Sequence, residues 1–377
     1  MKKNIVYLEG LRGVAALIVV VAHFFQVFLP ATLKSHTGTE HTQIEVWIRD
    51  NPLNIIYNGS FAVCLFFILS GYVLSFRFFQ TGNHDDITNL AIKRYPRLAI
   101  PAFASVVIGY GVMTFDLSCY SSIKPITLST MLDPFKGDLT FDTAIMSGLI
   151  LNFFQYRGIL NPVLWTMTYE FFGSFLIFSF LLIFGKSKIR YIVYVVLIFY
   201  FLKSFYLAFV LGLLISDLKN SGNKDLLHKL QHPFIVGLFL LLGIYFGTFP
   251  YVETENPIYL HLKIFSSSFP YFVFYHIIGG MFLFLAVLNS DKMKKAFSTS
   301  VCAYIGKLSF SLYLIHFSII LTFSSYLFSM FYPSFSYGVS FVLTFLLSLP
   351  VLWFFSHFFY LLVDAKTTNW LSQCIKV

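Results

Sequence analysis

The sequence predicts an all-α fold: a polytopic transmembrane helix bundle of about ten spans, with both termini on the cytoplasmic side. Three observations carry this. Of the 377 residues, 57% are hydrophobic and only 11% charged, whereas a soluble domain carries about 25% charged residues. Several apolar runs reach the length of about 20 residues that a helix needs to cross about 30 Å of hydrocarbon. The Lys and Arg residues fall between those runs and favour one side of the membrane.

Taken in order, the apolar runs cover residues 8–29, 58–79, 98–116, 164–185, 190–202, 204–217, 233–249, 264–288, 304–330 and 337–361. The fifth and sixth are short and are separated only by Lys203. They read either as a hairpin of tilted helices or as one re-entrant pair. Residues 143–154 form a short apolar stretch and read as an interfacial helix. Met1–Lys3 followed by an apolar run resembles a secretory signal, but Arg12 and Gly13 interrupt its opening and no small-residue cleavage site follows. A retained first span is the better reading.

Ten spans put both termini on one side. With that side cytoplasmic, its segments hold 19 of the 26 Lys and Arg residues, the bias expected of inward-facing loops. If residues 190–217 cross only once, every later span inverts. The longest outer loops are residues 30–57 and 117–163. Residues 1–377 read as a single membrane domain with no appended soluble domain.

The net charge of +9 does not point to nucleic acid, because the basic residues form no face or stripe. The four cysteines, Cys64, Cys119, Cys302 and Cys374, are far apart. They support neither a disulfide framework nor a metal site.

Charged groups inside a bilayer are costly and mark functional positions. Arg12 and His23 lie 11 residues apart in the first run. At about 100° per residue they share one helix face, separated by roughly 16 Å along the axis. This fits a site reached from both sides. It fits equally a snorkelling Arg and a His bonded to a neighbouring helix. Arg94 and Arg97 are i,i+3 in Lys93-Arg94-Tyr95-Pro96-Arg97, so one helical turn puts both guanidiniums on one side. They read as a phosphate clamp or as a positive-inside anchor. Glu170, in Leu164–Glu170, follows an interfacial Trp165 and needs a partner in the membrane. Ser70-Gly71, in Phe66–Tyr72, permits close approach of a helix or of a ligand. Ser309–His316 adds a second intramembrane imidazole, and His276 and His357 read as packing histidines.

Together, these segments resemble the acyltransferase-3 family of integral membrane O-acyltransferases. Leu8–Ala16 with His23 is similar to its opening element, an Arg, ten residues and a His. Phe66–Tyr72 resembles its FF-x-LSG-aromatic element, and Arg94-Tyr95-Pro96-Arg97-Leu98 with Pro101 its R-x-x-R element. Trp165–Glu170 and Ile305–His316 resemble its W-S-L-x-x-E and G-x-x-S-x-x-x-Y-L-x-H elements. Glu9 stands where Asp is usual, and Thr166 and Thr168 replace a Ser and a small or apolar residue.

The resemblance implies an enzyme that moves an acyl group, commonly acetyl, from cytoplasmic acyl-CoA to a saccharide hydroxyl at the outer side of a bacterial inner membrane. Lipopolysaccharide and exopolysaccharide are compatible acceptors. It implies coenzyme contacts for Arg12, Arg94 and Arg97, with Ser70 and Gly71 beside them. It makes His23 the general base on the acceptor or the carrier of a transient acyl group. Glu170 would orient an imidazole or hold an Arg, and His316 would line the acceptor path. The alternative from another class is a saccharide-lipid transporter or flippase. That reading expects paired helix breaks near the midplane, and the sequence has none.

Overall fold

The computed structural model describes residues 6–33, 38–221, 228–251, 256–265 and 268–374, and among these every regular element is helical. Ten long helices carry the fold. They are α1 (Val6–Phe28), α2 (Gly59–Thr81), α3 (Asp85–Thr114), α4 (Thr166–Phe184) and α5 (Arg190–Tyr200). The second half holds α6 (Tyr206–Ser221), α7 (Pro233–Gly247), α8 (Tyr271–Asn289), α9 (Ser300–Phe331) and α10 (Tyr337–Cys374).

Each helix coincides with one of the apolar runs. Seven of them, α1–α4 and α8–α10, are long and apolar enough to cross a bilayer. The others have 11, 16 and 15 residues, or roughly 16–24 Å at about 1.5 Å per residue, short of a full span. Apolar side chains cover the outside of the bundle, among them Ile183, Ile192, Phe199, Phe234 and Leu362. A surface of this kind is stable against lipid and not against water.

Boundaries shift in four places. The third apolar run begins at 98, but α3 begins at Asp85 and runs through the basic cluster, with Pro96 and Pro101 inside it. Asp85 and Asp86 in its first turn complement the helix dipole. The eighth helix starts at Tyr271 instead of 264; residues 266 and 267 lie outside the described ones. The last continues past 361 through a π-helical turn at Tyr360–Asp364 to Cys374. The long segment 117–163 is not plain loop but contains short helices, including Phe141–Phe154 packed on α3, where Gly148 abuts Phe103. Lys2, Lys3, Lys224 and Lys376, four of the charges on which the expected orientation rests, lie outside the described residues.

Two of the helix crossings that need glycine border the site. At the α1–α9 crossing, a Cβ on Gly13 would lie 2.6 Å from the Gly306 nitrogen, and one on Gly306 would lie 2.2 Å from the Glu9 carbonyl oxygen. At the α2–α6 crossing, a Cβ on Gly71 would lie 2.3 Å from Phe209 O, and one on Gly212 would lie 2.1 Å from Ile68 O. Small residues let backbones approach this closely, and in lipid such packing is a main source of association between helices.

Gly306→Val therefore forces α1 and α9 apart. Overpacking of this kind costs about 1–3 kcal/mol or more. The expected outcome is a lower unfolding temperature in detergent and loss of the α1–α9 contacts, while Gly111→Val, which meets nothing within 4 Å, carries only the helix-propensity change. Equal thermal stability of the two variants would contradict the close-packing account.

Candidate active site

His23 sits on α1 and His316 on α9, each ten residues beyond the Gly13–Gly306 crossing. His316 Nε2 lies 3.0 Å from His23 Nδ1, and the ring centroids are 4.9 Å apart. The surrounding carbonyls assign the protons. His316 Nδ1 is 3.0 Å from Leu312 O and donates to it, so its Nε2 is an acceptor. His23 Nδ1 therefore carries the proton, shared between His316 Nε2 and Val19 O at 2.9 Å. His23 Nε2 is left with a free lone pair and has no hydrogen bond among the described residues. One imidazole holds the other in the tautomer of a base.

His23 is partly exposed and lines a cavity of about 360 Å³. Gln26, Ser60, Thr130 and Tyr251 supply polar edges there, and Trp165 and Phe317 supply aromatic faces. Among the described residues no charged side chain lines it. His316 is fully buried and lines neither cavity.

A second cavity of about 210 Å³ opens at the level of Arg12, lined also by Arg94, Arg97, Ser70, Glu170 and Phe310. Its three guanidiniums differ. Arg94 pairs with Glu170, and its Nε donates to Ser174 Oγ at 2.7 Å. Ser70 Oγ donates to the same Glu170 oxygen at 2.6 Å. Arg97 pairs with Asp364 and lies 5.6 Å from the centre of the Phe310 ring. Arg12 makes no hydrogen bond or ion pair within contact distance of any described residue and is exposed to the cavity. An unpaired guanidinium beside two paired ones is suited to an anion.

The resemblance grouped Arg12, Arg94, Arg97, Ser70 and Gly71 as coenzyme contacts and Glu170 with the two histidines; the cavity unites the three arginines and Ser70 with Glu170. His23 and His316 meet as well. Three readings are narrowed. Gly71 does not reach the cavity, because its missing side chain makes room for the α6 backbone. Glu170 touches no imidazole; its carboxylate holds Arg94 and Ser70. His316 lies behind His23 and lines neither cavity. His276 is fully buried, with Nε2 2.7 Å from Phe249 O. His357 Nδ1 meets Tyr304 OH at 2.7 Å. Each has a partner within the bundle. Sequence reasoning missed Asp364 and Ser174. The one available signal was Asp364, an acid closing the last apolar run with no sequence-local partner.

An all-helical membrane bundle with a base-competent histidine pair and an adjacent cationic cavity has the parts of a group-transfer enzyme. The acyltransferase-3 family model, described as an acyltransferase domain, matches residues 5–357, and the chain belongs to that family. The chain is 22% identical to "Acyltransferase clz18" of Cochliobolus lunatus, over 86% of its own length and 84% of the relative's. It is 21% identical to "Acyltransferase R4" of Phoma sp., with the same coverage. Against "O-acetyltransferase PaAT-1" of Phomopsis amygdali the identity is 23%, over 82% of this chain and 71% of that one. No solved structure matches it significantly. The protein is an acyltransferase.

Arg94→Ala strands the Glu170 carboxylate, which is only 14% exposed. Breaking one side of such a pair costs about 3–5 kcal/mol, and Arg94→Ala/Glu170→Ala should recover part of that loss. Arg12→Ala, with no ionic partner to strand, should leave the unfolding midpoint nearly unchanged. Thermal unfolding of the four proteins in detergent checks this; equal losses for Arg12→Ala and Arg94→Ala would refute the assignment.

Proposed function

We propose that the chain is a membrane O-acyltransferase that takes acetyl from cytoplasmic acetyl-CoA and places it on a hydroxyl of an envelope saccharide, in lipopolysaccharide or exopolysaccharide, across a bacterial inner membrane. In this reading residues 1–377 act as one membrane domain of ten spans with both termini cytoplasmic. The Arg12 cavity is then the inward-facing donor site and the His23 cavity the outward-facing acceptor site.

The observation that carries the proposal is the free Nε2 of His23, oriented by His316 at 3.0 Å, in a cavity next to one lined by three arginines. A sugar hydroxyl is a weak nucleophile at neutral pH, and a neutral imidazole is suited to accept its proton. As that proton moves to Nε2, the hydroxyl oxygen bonds to the acyl carbon and the carbon–sulfur bond breaks. The imidazolium then returns the proton to the departing thiolate. Arg12, Arg94 and Arg97 hold the phosphates, with Arg12 contributing the unpaired charge. Trp165 and Phe317 offer faces for the apolar side of a sugar ring, while Gln26, Ser60 and Thr130 meet its hydroxyls. The O-acetyltransferase among the relatives favours acetyl as the group moved.

In inner-membrane vesicles given radiolabelled acetyl-CoA, wild-type protein should deliver label to the saccharide fraction. His23→Ala should reduce delivery by about 10²–10⁴-fold, the usual contribution of a general base, while still binding acetyl-CoA. His316→Ala should lower the rate less and keep the binding. Full transfer by a folded His23→Ala protein, or label confined to lipid and protein, would overturn the proposal.

A further inference from the structure

The two cavities are neighbours that share part of their lining. Val63 of α2 and Tyr313 of α9 line both, and each is only 7% exposed. The Tyr313 hydroxyl donates to Val163 O and sits 2.6 Å from Thr166 Oγ1, which is itself 3.1 Å from Val163 O. Val163 lines the His23 cavity and Thr166 the Arg12 cavity. The ring is thus fastened to the turn that lies along the boundary. That turn is itself fixed, because Asn161 Nδ2 donates to Ser105 Oγ at 3.0 Å and to Leu314 O at 2.7 Å.

We infer that Tyr313 is a gate between the two cavities, latched to Val163 and Thr166, that keeps water at His23 away from the thioester until an acceptor is in place. The inference rests on the acyl-transfer reading above. Val63 is short and stiff at χ1 and cannot clear the way by rotation. Tyr313 carries a long lever on two torsions, so release of its hydroxyl opens the boundary. The need for a gate follows from the base. A histidine able to activate a sugar hydroxyl also activates water, and water is abundant in an open cavity. Water that reached the thioester would add its oxygen to the acyl carbon, break the carbon–sulfur bond and yield acetic acid and free coenzyme thiol. Exclusion of water until the correct partner binds is a general function of gates at transfer sites. Tyr313 also precedes His316 by one helical turn, with ring centroids 6.1 Å apart. Movement of the gate is therefore transmitted to the residue that orients the base.

The test is release of free thiol from acetyl-CoA by purified protein with no acceptor, with acetyl-CoA binding measured on the same samples. Wild type should hydrolyse slowly. Tyr313→Phe, which keeps the ring and removes the latch, should hydrolyse about two- to tenfold faster, the range equivalent to one lost hydrogen bond. Tyr313→Ala should be faster still, and adding His23→Ala to Tyr313→Phe should return hydrolysis to background. Structural damage would lower this activity, so a rise separates gating from packing. If Tyr313→Ala fails to fold, Tyr313→Phe decides. Binding of acetyl-CoA with no rise in either variant overturns the gate alone; no binding by folded wild type overturns the acyl-transfer reading and the gate with it.

Discussion

The contact on which the site depends is the backbone approach of α1 and α9 at Gly13 and Gly306. Neither residue carries chemistry. Their missing side chains bring the two helices close enough for an imidazole on each to share one proton. A histidine serves as a base only when one ring nitrogen is free and the other is held. Here the holding group comes from a helix almost 300 residues later in the chain, so its placement is a property of packing alone. In hydrocarbon no hydrophobic force drives two apolar helices together, and close van der Waals contact takes that role.

A second constraint is electrostatic. Guanidiniums and carboxylates within a helix bundle are stable when paired, and removal of one partner leaves a costly charge. Glu170 and Asp364 satisfy Arg94 and Arg97 and fix their positions. Arg12 has no such partner within contact distance among the described residues. The division separates two kinds of cation that look alike in sequence: two that build the cavity wall and one whose charge is turned into the cavity. Ser70 and Ser174 complete the wall by bonding the Glu170–Arg94 pair from both sides.

The boundary between the cavities follows from the same packing. It is made by one small stiff side chain and one tyrosine, with the tyrosine fastened to the turn before α4. Under the proposed transfer, donor and acceptor would approach from opposite ends of α1, and this wall is where they would meet. The Arg12–His23 spacing read from the sequence sets the distance between the two levels, and Tyr313 sits between them in the bundle.

The sequence alone determined the fold class, because apolar run length and sparse charge leave a chain no stable alternative in water. It also located the ten long helices, and its local motifs singled out Arg12, Arg94, Arg97, Ser70, Glu170, His23 and His316 as candidates. Helix starts were less legible. The basic cluster before residue 98 reads as a boundary, yet α3 passes through it, because acidic residues at Asp85 and Asp86 begin the helix earlier. The tertiary structure decided which group partners which. Glu170 had open to it an imidazole or a guanidinium, and only packing chose Arg94. Gly71 had a helix or a ligand, and the α6 backbone took the space. Asp364 and Tyr313 acquired their positions from contacts across more than a hundred residues. Local sequence reports whether a residue is apolar, charged or small, but hydrogen bonds and ion pairs act over about 3 Å, and only the folded chain sets which groups come that close.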